Sequence, residues 1–435
     1  MPNNITNKIR VFNAAQFIES IGENNPTRLY LFVGRHQPWN ENDIPNNVTL
    51  LEGEEYDAQY NMIGVKRIFP LDMSHVVRRI DWRPDTVFDF YDDRDEDLYS
   101  KNFYVINRNY DVYICLFNNN RSFSTVQPLS RSTRAFETSD GYKWKYLYNI
   151  PVSAQLRFLT AQWMPVLSDN LIVRTAEAGE ITTILPVNLG DNYTKSNTSI
   201  AVVGDGEGLD VDFTVVDGRV TRYAVLDGGA NYKYANIVLN TVDQGDGATA
   251  RIIIPPTGGH GSNPINELNA RYVMVNSRLE YAEGYSDFPI DISYRTIGLV
   301  RALVDDSALA VNQTTANANK TLQITTADGD TNFLAAQFIT GANSGANGYI
   351  LTSNVISNTR VEVRYSQGFD LTENFKSFNV GEAVFASNTN ATGTIAAIAG
   401  REANPLSGEI LYIDNRPPVD RAPDQAENIH IVLEF

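Results

Sequence analysis

Four histidines, one cysteine and 52 acidic residues are the groups in this 435-residue chain that could do acid–base, nucleophilic or metal chemistry. Their spacing decides whether they can act together. His36, His75, His260 and His430 lie far apart, with no i, i+4 pair and no cysteine at ligand spacing, so HExxH and zinc patterns are missing. Cys115 sits in YDVYICLF, apolar on both faces, and reads as a small buried hydrophobe in preference to a reactive thiol. GANSGANG (Gly341–Gly348) only imitates a Gly-x-Ser-x-Gly elbow, and no GxxxxGK[ST] phosphate loop occurs. GDGEGLD (Gly204–Asp210) lacks the acidic spacing and the closing glutamate of a calcium loop. FDFYDDRDED (Phe88–Asp97) reads as a solvated acidic turn in preference to a metal cage. Pairs of carboxylates are abundant, but nothing singles one out for glycoside hydrolysis. The expectation is a chain with no catalytic site, no metal and no cofactor.

The elements that would position these groups are mostly strands. One helix is expected, with Asn13 as N-cap, Phe17, Ile18 and Ile21 near one face, and Gly22 as the stop. Strands are expected at Arg28–Gly34, Val65–Leu71, Phe103–Asn107, Asp111–Phe117 and Tyr142–Ile150, then Ala270–Ser277 and Ile297–Val304. Phe103–Asn107 and Asp111–Phe117 read as a hairpin. Glu409–Asp414 alternates like a strand, and Asn415-Arg416-Pro417-Pro418 is expected to break it, because proline brings no N–H to a ladder. Ile429, Ile431, Leu433 and Phe435 then share one face of a terminal strand, with His430 on the exposed face. So apolar an end is expected to dock in a sheet, closing a final hairpin.

Residues 171–258 repeat themselves. At an offset of 39, Gly190, Asn192, Tyr193, Gly206 and Gly208 fall on Gly229, Asn231, Tyr232, Gly245 and Gly247. The two copies run roughly Glu180–Gly218 and Arg219–Gly258, each with three strands and two glycine turns. A fainter echo at offset 45 sets Asn343, Ala346, Gly348 and Ile350 against Asn388, Ala391, Gly393 and Ile395. PPTGGHGSNP (Pro255–Pro264) reads as a hinge or linker. The expected fold class is mainly β and multi-domain: a discontinuous β-sandwich-like core with two inserted small β modules and few short helices. The core comprises 1–170, 263–311 and 401–435, and the modules are 171–262 and 312–400.

A net charge of −17 argues against binding nucleic-acid backbones or anionic lipid, both of which need clustered cations. It suits a soluble protein with protein partners. A lone cysteine allows no intrachain disulfide. No signal peptide and no apolar run of about 18 residues is read in the sequence. Trp39, Trp82, Trp144 and Trp163 all fall in the first core segment, where packing is the simpler role and stacking on a partner or sugar the alternative.

Four separated pieces, in order, resemble one family. They are Gly34-Arg35-His36-Gln37-Pro38-Trp39, Arg78-Arg79-Ile80-Asp81-Trp82, and Asp140-Gly141-Tyr142-Lys143-Trp144-Lys145-Tyr146-Leu147 with Ile150-Pro151. The fourth is Ser407-Gly408-Glu409-Ile410 through Asn415-Arg416-Pro417-Pro418, with Asp424-Gln425 and the closing strand. Together they are similar to the gene product eight family of baseplate wedge proteins in T-even-like contractile-tailed bacteriophages. The resemblance covers the proposed core and neither module. It implies a non-enzymatic structural subunit of the virion tail baseplate, made in the host cytoplasm. It also implies a homodimer in each wedge, assembled beside gene products seven, ten and six. The positions it marks as interface or motif candidates are Trp39, Arg79, Trp82, Tyr142, Trp144, Asn415, Arg416, Pro417 and Pro418. The alternative is a carbohydrate-binding adhesin or fibre-like receptor binder, for which a glycine-rich β module with tyrosines would serve.

Overall fold

The computed structural model describes residues 6–23, 26–39, 52–242, 245–280, 287–290, 292–367, 376–422 and 425–435. The chain is mainly β, with several antiparallel sheets, a six-stranded barrel and few short helices. It divides into two compact units. The first holds Met1–Gln16, Ser74–Met274 and Val432–Phe435, and the second Phe17–Met73 and Val275–Ile431. Residues 17–73 thus join the later strands, which divides the expected core segment 1–170. The cause is strand pairing. Leu29–Gly34 is apolar throughout, so both of its edges must be covered, and it pairs with Met62–Ile68 on one side and Ser293–Arg301 on the other.

The helix spans Asn7–Gly22, starting well before the expected cap at Asn13. Ile9 and Arg10 N–H groups bond the Thr6 carbonyl at 3.0 and 3.2 Å. Val11, Ala14 and Ile21 form the buried stripe, which draws the first turns into helix and leaves Asn13 exposed within it. Gly22 is the last helical residue and does not adopt a left-handed φ.

In the first unit, a four-stranded antiparallel sheet runs in the order Tyr104–Ile106, Asp111–Asn118, Tyr142–Asn149, Phe136–Glu137. The expected hairpin is present. Its central strands are buried on both faces, and Lys145 is only 1% exposed. The Lys145 ammonium donates to the Thr133 carbonyl at 2.6 Å, and burial holds its pKa below the ordinary lysine value. At the end of the chain, Phe435 N–H bonds the Arg271 carbonyl at 3.3 Å, so the last residues are docked in this unit.

The repeat module of the first unit has six strands in three antiparallel pairs, and equivalent strands exchange partners. Ile184–Asn188 pairs with Thr249–Ile252, and Glu207–Val216 with Arg219–Ala230. The middle strands, Thr198–Gly204 and Ala235–Thr241, pair with each other. The first strand of each copy therefore meets the third strand of the other, giving an internal pseudo-twofold. The glycines follow from it. Leu209 N–H donates to the Tyr232 hydroxyl at 3.3 Å, and the equivalent Ala248 N–H donates to Tyr193 at 3.2 Å. Each tyrosine ring lies over the other copy's Gly-x-Gly turn. A Cβ on Gly206 would meet the Tyr232 ring at 2.5 Å, and one on Gly245 the Tyr193 ring at 2.6 Å. Gly206→Ala and Gly245→Ala should each destabilise the module by about 1–3 kcal/mol, Gly206→Ala by more, because its Cβ would also meet the Ala230 carbonyl oxygen at 2.5 Å. Thermal melts of the two variants check this; a larger loss for Gly245→Ala would contradict it.

In the second unit, a five-stranded sheet has the order Thr315–Asn317, Met62–Ile68, Leu29–Gly34, Ser293–Arg301, Glu409–Asp420. The Met62–Ile68 strand stops short of the expected Leu71, because Pro70–Asp72 forms a 3-10 turn whose Asp72 carboxylate accepts the Phe69 N–H at 2.9 Å. Glu409–Asp420 runs straight through Pro417 and Pro418, contrary to the expected break. It is an edge strand, and its register against Ser293–Arg301 slips between Asn415 and Val419, so neither proline is asked for a ladder N–H. The expected final hairpin does not form either: Glu409–Asp420 and Glu427–Glu434 belong to different sheets.

The six-stranded barrel of the second unit, from Lys320 to Ala399, has its own apolar core around Leu322, Ile350, Val363 and Ile395. The offset-45 echo marks a second pseudo-twofold. The hairpin Phe338–Gly341/Asn347–Ser357 corresponds to Ala383–Ala386/Thr392–Ala399. The buried Gln337 side chain accepts the Asn388 N–H at 3.3 Å, and its counterpart Glu382 accepts Asn343 and Ser344 N–H at 3.2 and 2.9 Å. Each hairpin thus caps the turn of the other.

Candidate functional site

Several of the residues singled out for their chemistry are engaged within their own chain. Cys115 is fully buried, and burial pushes its thiol well above the usual range. His75 Nδ1 lies 2.9 Å from the Ala270 carbonyl oxygen. His430 is exposed beside buried Ile429 and Ile431. In GDGEGLD, the Asp205 carboxylate accepts Lys233 and Tyr234 N–H at 2.9 and 3.1 Å, which ties one repeat to the other. In GANSGANG, Ser344 donates its hydroxyl to Glu382 at 2.9 Å. Among the described residues, no three His, Cys, Asp or Glu side chains cluster as a metal ion would require.

Two readings need correction. The acidic stretch Phe88–Asp97 is no simple solvated turn: Phe88 and Tyr91 are buried, and Asp92 takes a bidentate bond from Arg251 of the repeat module, with Nη1 at 2.7 Å. The proposed hinge Pro255–Pro264 is pinned. His260 and Glu267, each under 5% exposed, meet at 2.6 Å from Nδ1 to Oε1, and Oε2 accepts the Gly261 N–H at 2.7 Å. Tyr91 packs edge-on against His260. The available signal for this pair was a histidine between glycines followed by the Asn-Pro start of a helix. Asn263 caps the Pro264–Glu267 turn and sets the carboxylate facing back along the loop.

The motif positions fall in both units. In the first unit, Arg79 bonds Asp81 at 2.9 and 3.0 Å and the Thr160 carbonyl at 3.1 Å. Trp82 Nε1 donates to Ser124 Oγ at 3.1 Å. Asp140 gathers Ser124, Thr125, Val126, Thr138 and Tyr142. Burial raises its pKa, but these donors outweigh burial and hold it below the usual carboxylate range. Tyr142 and Trp144 are fully buried and stacked at 5.5 Å, and burial pushes the Tyr142 phenol up to about 12. In the second unit, Trp39 lies under the Arg35 guanidinium at 5.0 Å, and Arg35 makes a bidentate pair with Asp57 at 2.6 and 2.7 Å. Asn415 is buried and accepts from Thr296 Oγ1 at 3.2 Å. Arg416, Pro417 and Pro418 are exposed, with Arg416 bonded to its neighbour Asp414. Asp424 lies outside the described residues. Of the nine candidates, Arg416, Pro417 and Pro418 are exposed, Trp39, Arg79 and Trp82 are half-buried, and Tyr142, Trp144 and Asn415 are buried. No protein-family model and no curated protein matches this chain.

Proposed function

We propose that this chain is a structural subunit of a contractile-tail baseplate wedge, working with other wedge proteins and with a second copy of itself. The observation that carries the reading is the use of the motif residues. Asp140, Trp82, Arg79 and Asn415 direct their polar atoms at their own chain and tie separate segments of it together. The candidate positions that are exposed, Arg416, Pro417 and Pro418, form a proline bulge on an edge strand. That is the chemistry of a scaffold: rigid where it bears load, and open at an edge whose shape is fixed before a partner arrives. With a net charge of −17, basic faces on the partners would set orientation and association rate. Three of the repeat module's four tyrosines, Tyr193, Tyr223 and Tyr232, are buried, which weakens the sugar-binding alternative.

The test is reconstitution. The full chain should co-sediment as an ordered complex with the gene product seven, ten and six partners from the same phage. If it stays free at micromolar concentrations of all three, the wedge reading is wrong. Arg416→Ala should weaken joining and leave the melting temperature unchanged, since its own ion pair is exposed and worth at most about 1 kcal/mol. A lowered melting temperature would instead make Arg416 a local brace of the bulge.

A further inference from the structure

We propose that a groove in the first unit docks an extended segment of a second protein, one carrying a carboxylate beside an apolar anchor. The cavity is about 780 Å³ and is lined by residues from several parts of this unit. Its apolar side is aromatic: Trp163 and Tyr272 meet at 4.8 Å, and Tyr99 stands 41% exposed beside them. Its cationic side is Arg78 and Arg271. Arg78 is exposed and bonds only neutral oxygens, Asn102 Oδ1 at 2.7 Å and the Ser100 carbonyl at 3.4 Å. Among the described residues it has no carboxylate partner. Arg271 is paired with Glu434 at 3.1 Å, yet its buried Nε has no acceptor.

Arginine, tryptophan and tyrosine are the side chains that dominate protein–protein binding energy, because they bury large area and keep a polar handle. Here they share one concavity on a chain whose net charge repels acidic guests elsewhere. An unneutralised guanidinium therefore selects a carboxylate locally. Glu96 and Asp97 also line the groove. The proposal does not rest on the wedge reading.

The experiment pans an mRNA-displayed random dodecapeptide library against the full chain, with Arg78→Glu and Tyr99→Ala in parallel. Both positions are exposed, and melting curves confirm that the variants fold. The expected result is enrichment of Asp or Glu next to Leu, Phe or Tyr. A synthetic enriched peptide should lose about tenfold or more in affinity for either variant. Its Asp/Glu→Lys version should bind Arg78→Glu better than the original chain does. Failure to enrich any sequence, or equal binding to all three proteins, overturns the proposal. Binding on an oligosaccharide array that vanishes in Tyr99→Ala, with no peptide enriched, also overturns it, in favour of a saccharide. Neither result bears on wedge reconstitution, so the two readings can fail separately.

Discussion

Arg421→Met is expected to remove about 3–5 kcal/mol from the second unit at pH 8. Arg421 and Glu427 are 2% and 7% exposed and joined from Nε to both carboxylate oxygens at 3.0 and 3.2 Å. Nη1 also donates to the Phe288 carbonyl at 2.6 Å. Two charges have been taken from water here, and deleting one strands the other. The Glu427 pKa is already raised, by burial first, with Arg421 acting in opposition. A carboxyl raised in the folded state contributes stability below its unfolded pKa, and that contribution is lost as pH rises through the folded pKa. Without Arg421 the folded pKa climbs further. The deficit of the variant should therefore be greatest at pH 8 and shrink toward pH 5, as Glu427 takes up a proton. Urea unfolding of both proteins at the two pH values measures it. Equal deficits would mean that lost packing, and not a stranded charge, is the cause. The double variant Arg421→Met/Glu427→Leu should recover much of the loss.

Acid should act on the same unit through His36, with the opposite sign. The imidazole is 7% exposed and stacks on Tyr349 at 4.0 Å, and among the described residues its Nε2 has no partner. Arg295 donates to its carbonyl, and Arg35 precedes it. Burial first, then Arg295, then Arg35 lower its pKa to about 3. A histidine depressed in this way contributes stability above its unfolded pKa of 6.5 that is lost as pH falls toward the folded value. The loss over that window is roughly 3–5 kcal/mol at about 1.4 kcal/mol per pH unit. His36→Phe keeps a ring against Tyr349 and removes the proton. Stability measured from pH 7 to pH 3 should fall less steeply for the variant, the two curves converging in acid. Parallel curves would show that His36 is not the group that titrates.

How much of this could be read beforehand differs from element to element. The hairpin around Asn107–Asp111 was legible because two short β-rich runs and the few turn residues between them are local signals. Both duplications were legible because a left-handed turn or a close backbone approach demands glycine wherever the unit recurs. The exchange of strands between copies was not legible. An offset shows which strands are equivalent and is silent on which ones pair. The proline bulge was misread for a related reason. Proline forbids a ladder bond only where a neighbour asks for one, and whether a strand is an edge depends on the rest of the sheet. His36 gave no sign of burial, since the ring that covers it arrives more than three hundred residues later.

The sequence by itself determined that this chain is β-rich, acidic and twice duplicated, because strand period, net charge and turn glycines are properties of short windows or of simple sums. Tertiary structure alone decided the two-unit division, the burial of the His260–Glu267 and Arg421–Glu427 pairs, and the groove at Arg78. The pairs join residues only seven and six positions apart, but what covers them is brought in from distant parts of the chain. Burial, which turns an ordinary side chain into a stranded charge or a docking surface, is a property of that neighbourhood and not of the residue.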